Sequence, residues 1–202
     1  MSNSFILKDA AGKSRCWWCG GLPIYQEYHD QEWGRPVKND RRLFEKICLE
    51  GFQSGLSWIT ILKKRENFRD AFDNFELERV ANFGVLKVNQ LLNNEGIIRH
   101  RGKIEATINN AQQSYAVLEQ HGSLAKFFWQ FEPKKASQFD AKRATTDESV
   151  QMSKQLKKMG WKFVGHTTCY SFMQSMGMVN DHHPECDSWS IVESLRKKFK
   201  RP

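Results

Sequence analysis

Aromatic residues, acids and metal-ligand types crowd two neighbouring stretches, CWWCGGLPIYQEYHDQEWG (16–34) and ICLEGFQSGLSWITILKKRENF (47–68). Trp18, Tyr25, Tyr28, Trp33 and Trp58 could wall a flat pocket. Glu50 lies inside an otherwise apolar run, where a carboxylate needs a reason because burying an unpaired charge is costly. A flat aromatic box with one acid suits a nucleobase, which stacks on rings and is held at its edge by hydrogen bonds.

Metal chemistry is the second possibility. Zinc takes four N or S ligands in a tetrahedron. Cys16 and His29 are two ligand types near one end of the chain, and DHHPEC (181–186) supplies more near the other. Several quartets can be drawn from Cys16, Cys19, His29, His182, His183 and Cys186, against the bland reading of buried cysteines and surface histidines. Four protein ligands would close the site, making it structural and leaving no position for an activated water.

A third feature is LKKMGWKFVGHTTCYSFMQSMGMVND (156–181), which reads as helix, tight turn, helix. Gly160 and Gly165 bracket the turn. At Gly165 the second helix would begin, so its backbone N–H groups could face a phosphate. Lys157, Lys158 and Lys162 add charge. The plain alternative is an ordinary helical hairpin packed in a bundle.

The elements that must position these groups read as helices. Leu43, Phe44, Ile47 and Cys48 share a face after an N-cap at Asn39 or Asp40. A glycine-marked break at Gly51 and Gly55 leads to a second helix over 57–72. Ile104, Ile108, Ala111, Tyr115 and Leu118 form a stripe that Gly122 ends. Further helices are expected near 85–93, 123–131, 149–159, 167–177 and 189–199. No convincing strand alternation and no repeat is found. The stretch 133–149 reads as a long polar loop, and the tail 196–202 as a frayed basic helix end.

With 202 residues the chain fits one domain, and its net charge of +8 favours a polyanionic partner. No apolar run approaches a membrane span, so no membrane partner is expected. Five cysteines cannot all pair, which fits reduced thiols and a cytoplasmic setting.

The strings YHDQEWG (28–34), LEGFQSGLSWITILKKREN (49–67), GIIRHRGKI (96–104) and FVGHTTCYSFMQSMGMVNDH (163–182) resemble 3-methyladenine DNA glycosylase I. The likeness runs over residues 15–186, with 1–14 as an N-terminal extension and 187–202 as a basic tail. It implies an all-α helix-hairpin-helix glycosylase fold, two helical lobes with a cleft, and terminal segments tied by zinc. It places the zinc ligands on Cys16, His29, His182 and Cys186, and the base pocket on Trp18, Tyr25, Tyr28, Trp33, Glu50 and Trp58. Leu56 matches a residue that fills the stack after the nucleotide leaves it; Lys162 and Gly165 of the hairpin described above are the expected contacts to the DNA backbone. Cys19 and the Gly20-Gly21-Leu22 turn depart from the more polar residues usual there.

The implied activity is base-excision repair. The N-glycosidic bond of 3-methyladenine, with 3-methylguanine as a second candidate, is hydrolysed in alkylated duplex DNA, leaving an abasic site and free base. Glu50 would be the catalytic residue, acting as a carboxylate. A monomeric bacterial enzyme associated with the nucleoid through its DNA is expected. Asp181 could orient His182. The rival reading is an inactive zinc-stabilised DNA-binding module; mere backbone binding would need neither Glu50 nor the aromatic set.

Overall fold

A computed structural model describes residues 5–135 and 138–202. The ends of the N-terminal extension (1–4) and the centre of the polar loop (136–137) lie outside the described residues. Helices dominate: α1 Pro23–Gln31, α2 Asp40–Gln53, α3 Trp58–Lys63, α4 Arg65–Ala71, α5 Leu77–Ala81, α6 Val85–Leu92, α7 Arg101–His121, α8 Leu124–Trp129, α9 Asp147–Lys158, α10 His166–Ser175 and α11 Asp187–Lys198.

Local signals explain most boundaries. Asn39 caps α2, its side chain accepting from the Arg42 N–H. Thr146 and Ser149 form a reciprocal cap on α9. Gly122, at φ 80°, ends α7. Gly51 does not break α2 as its type suggests. It lies inside the helix, where an added Cβ would come 3.3 Å from Phe163 Cβ, so close packing against the 159–165 turn explains the glycine. The break falls at Ser54 and Gly55. The expected 57–72 helix is two, because the chain turns at Lys64.

α2 runs through the middle of the core. Phe44 and Phe52 are buried on it, and Phe68, Phe72 and Phe75 pack on one another beside them. α7 packs on α2 and α5 with Ile104, Ile108 and Ala111 inward, whereas Tyr115 of the same stripe is exposed. α9 and α10 pack together and α10 lies on α2, with Ser153 Oγ donating to the Val164 carbonyl at 2.6 Å.

Two further features depart from the sequence reading. Ile6–Lys8 and Ser14–Cys16 pair as a short antiparallel hairpin, β1 and β2, with Ile6 opposite Cys16. Strands of three residues are too short to show alternation. The tail is not frayed: Phe199 packs on Trp129 with centroids 4.5 Å apart, and Arg201 bonds Glu132 at 2.7 Å. Among the described residues no helix is long and apolar enough to cross a membrane.

Candidate functional site

A cavity of about 190 Å³ opens where α1, α2, α3 and α10 meet. Trp18 comes from a 3₁₀ turn following β2; Tyr25, Tyr28 and Trp33 come from α1 and its exit. Glu50 reaches the cavity from the last turn of α2, and Trp58 opens α3. All six expected pocket residues therefore line one cavity. The rings brace each other: Trp18 meets Trp33 edge to face at 4.9 Å, and tilted pairs join Trp18 to Tyr25 at 5.1 Å and Tyr28 to Trp58 at 5.4 Å. Burial pushes the Tyr25 phenol up to about 12 and holds Tyr28 well above its ordinary value, so both are neutral at physiological pH. The Trp58 indole N–H is buried with no partner among the described residues. A buried donor left without an acceptor inside the protein suits a site that a ligand completes.

Glu50 looks unpaired in the sequence, and it is not. One turn earlier on α2, the Lys46 ammonium lies 2.8 Å from Glu50 Oε1, with both side chains buried. Nothing in the spacing singled out Lys46; a lysine four residues before a glutamate is an ordinary surface pair on most helices. Sequence reasoning also missed Trp17, Gln53, Ser171 and Gln174, together with Asp140, Ala141 and Arg143 from the polar loop, which line the same cavity. Only contacts from distant segments reveal these. Arg143 Nη2 donates to the Gln138 carbonyl at 2.7 Å, and its Nη1 lies 3.8 Å from Asp181.

Leu56 stands 42% exposed in the turn between Glu50 and Trp58. The buried Lys103 ammonium, from GIIRHRGKI, ties this turn down by donating to the Phe52 and Ser54 carbonyls at 2.8 and 2.6 Å. These are carbonyls at the C-terminus of α2, which a cation satisfies.

Behind the pocket, ligand atoms of Cys16, His29 and Cys186 lie within 4.8 Å of one another, all buried. His182 adjoins them, its ring centroid 5.0 Å from that of His29. Its Nε2 is buried without a partner among the described residues, while Nδ1 faces Asn180 Oδ1 at 2.9 Å. His29 Nδ1 faces Asp30 Oδ1 at 2.8 Å, which leaves Nε2 toward the thiols. Burial, then the His29 charge, pushes His182 down to about 4, so it is a neutral imidazole at physiological pH. Cys19 instead donates to the Cys16 carbonyl, and His183 Nδ1 accepts from the Glu185 N–H. The sequence reading offered Asp181 as the partner of His182; it accepts from Tyr170 and Gln174 instead, and Asn180 and Asp30 orient the histidines.

In the 159–165 turn, Asn110 clamps Lys162 through both backbone groups, at 2.8 and 2.9 Å, leaving its side chain outside. Gly165 is the N-cap of α10, has no side-chain cap, and an added Cβ would meet nothing closer than Thr168 Oγ1 at 3.8 Å. No acidic residue occupies the first turn. The first turn of α10 thus has no side-chain cap, and the exposed Lys162 precedes it in the same turn.

Fold and cavity together define a helical protein built to hold one flat, polar-edged molecule between rings and a carboxylate. The comparisons with known proteins agree. Residues 18–189 match the family model described as methyladenine glycosylase. The DNA-3-methyladenine glycosylase of Haemophilus influenzae is 46% identical over 86% of this chain and 96% of its own length. DNA-3-methyladenine glycosylase 1 of Escherichia coli is 49% identical over 85% of this chain and 95% of its own. A structure of 3-methyladenine DNA glycosylase I from Staphylococcus aureus, solved for the basis of 3-methyladenine recognition, superposes with a TM-score of 0.82 at 36% identity, covering 87% of this chain and 96% of that one. This chain belongs to the methyladenine glycosylase family.

Proposed function

We propose that the protein removes 3-methyladenine from alkylated duplex DNA by hydrolysis, leaving an abasic site. The observation that carries the reading is the cavity itself, with aromatic walls and the Glu50 carboxylate at its edge, in a chain of this family. Reaching a base in a duplex requires flipping it out, which costs a few kcal/mol. The exposed Leu56 on its braced turn is suited to fill the gap. The α9–α10 hairpin, with Gly165 and Lys162, is suited to grip phosphate without reading sequence.

Once seated, the base stacks on Trp58 and its neighbours, worth about 1–3 kcal/mol per good stack. Methylation at N3 makes the adenine cationic. Its C1′–N9 bond breaks with the electron pair going to the base, which leaves neutral and needs no general acid. The sugar becomes oxocarbenium-like, water adds at C1′, and that water gives up its proton to bulk solvent. Glu50 accepts hydrogen bonds from the adenine edge and favours positive charge in the site. The rings offer cation-binding faces.

Cys16, His29 and Cys186 form a close buried trio, and His182, with an orphaned Nε2 beside His29, is the fourth donor of the reading: two thiols and two imidazoles with their outer nitrogens engaged fit zinc. A closed shell of this kind would serve stability, joining the start of the fold to its end.

The test is incubation of the protein with methylated duplex and chromatography of the released bases. Free 3-methyladenine with an intact abasic strand is the expected result. A folded protein that binds the duplex and frees no base would leave only a DNA-binding module.

A further inference from the structure

Lys46 touches three pocket residues at once. Its Nζ lies 2.8 Å from Glu50 Oε1 and donates to Tyr28 Oη at 2.9 Å. It also sits 3.2 Å from the centroid of the Trp58 ring. The ammonium does not line the cavity; it stands behind these three side chains. The ion pairs Arg65–Glu32 and Arg69–Glu45 surround it, with Arg42 beside them. Burial holds the lysine's proton affinity below its ordinary value, an effect that Glu50 offsets only in part.

We propose that Lys46 is a positioning residue that sets base specificity. It fixes Tyr28 as a donor and Glu50 as an acceptor toward the cavity, a pattern that selects the edge of adenine over that of guanine. This rests on the base pocket proposed above.

An ammonium has three donors and no acceptor. The Tyr28 oxygen must therefore accept from Lys46, and the phenol hydrogen, held near the ring plane by conjugation, is turned to the other side. Among the described residues that hydrogen finds no acceptor, and Tyr28 lines the cavity. Glu50 is divided in the same way. Oε1 is engaged by the ammonium, while Oε2 has no hydrogen-bond partner among the described residues. An incoming base therefore meets one donor and one acceptor whose roles cannot be exchanged while Lys46 is present.

Adenine offers N7 as acceptor and its amino group as donor; guanine offers two acceptors, N7 and O6. Methylation at N3 leaves both edges unchanged. Adenine complements the preset pair. Guanine would set O6 against a carboxylate oxygen, and a facing pair of lone pairs in a buried site is costly. A mismatch of this kind is worth roughly tenfold to a hundredfold in discrimination.

The readout is the ratio of 3-methyladenine to 3-methylguanine release from one preparation of methylated duplex, with melting temperatures measured alongside. The parent should favour adenine by about tenfold or more. Lys46→Met frees the phenol rotor and should narrow the ratio. That variant also strands a buried carboxylate and could fail to fold, so Glu50→Gln provides an independent arm. With Lys46 present, the ammonium takes the amide oxygen and turns the NH2 group into the cavity. Two donors then match guanine, and the ratio should fall about tenfold or invert. Adding Lys46→Met to Glu50→Gln lets the amide turn again and should restore part of the adenine preference, with no loss of melting temperature, since two neutral groups replace a buried ion pair. The same ratio in Glu50→Gln with and without Lys46 would overturn the proposal while leaving the glycosylase reading intact. A parent that frees neither base overturns both.

Discussion

Removing one thiolate from the Cys16/His29/His182/Cys186 cluster is the most direct probe of what holds this fold together. In the proposed zinc shell, Cys186→Ser swaps a strong ligand type for a weak one at a site 3% exposed. The proposed metal closes a loop running from Cys16 to Cys186, nearly the whole chain. Treated like a covalent cross-link, closing roughly 170 residues contributes about 5 kcal/mol through loop entropy. Metal held by unfolded thiols reduces that figure. At 2–4 °C per kcal/mol for a chain of this size, the melting temperature should fall by about 10 °C, and by at most about 20 °C. A strong chelator should do the same to the parent and nothing further to the variant. Gly34→Ala attacks the site without touching a ligand. Gly34 has φ 79°, and its new Cβ would lie 2.9 Å from His182 Cε1, so metal content should drop. His183→Ala should keep the metal. Fresh protein with less than about half an equivalent of zinc, or a chelated protein that melts like the parent, would refute the reasoning; metal loss in His183→Ala would show that the wrong histidine was chosen.

Three further outcomes are expected. Gly165→Val and Lys162→Ala should weaken binding to abasic duplex, with a shallower salt dependence for the lysine change, and leave free-base affinity unchanged; a parallel loss of both affinities would contradict the hairpin's role. Borohydride should trap no covalent adduct on lesion-bearing DNA, because the lysine nearest the pocket, Lys46, is buried and ion-paired behind Tyr28 and Trp58; an adduct abolished by changing a single lysine would overturn that. Truncation before Phe199 should cost a few degrees of melting temperature near neutral pH and less once the pH has fallen through the folded Glu132 value, the remainder being the lost packing of Phe199 on Trp129. Burial opposes ionisation of Glu132, but the Arg201 and Arg196 hydrogen bonds hold it below its ordinary value. A depressed carboxylate stabilises above its unfolded value and loses that contribution as pH falls through the folded one, so an undiminished difference at low pH would rule out this ion pair as the cause.

Much of this molecule was legible in its residues. The stripe Leu43, Phe44, Ile47, Cys48 and the cap at Asn39 are local, and α2 follows from them. The aromatic pocket was legible because Trp18, Tyr25, Tyr28 and Trp33 sit on one helix and its flanks, and Glu50 and Trp58 flank a single turn. Spacing alone left Cys16, Cys19, His29, His182, His183 and Cys186 as alternatives; the resemblance chose among them, and only the fold brings residues 16 and 186 together. Tertiary structure decided everything that depends on a distant partner. Lys46 reads as a surface charge until Tyr28 and Trp58 close over it. Arg143 lies in a polar stretch with no local signal, yet it lines the cavity. Phe199 and Arg201 belong to a basic tail that docks only because Trp129 and Glu132, far back in the chain, present a ring and a carboxylate. Periodicity and caps act over a few residues and are written in the sequence in order. The roles of charges and orphaned nitrogens depend on which segments meet, and that is a property of the packed chain.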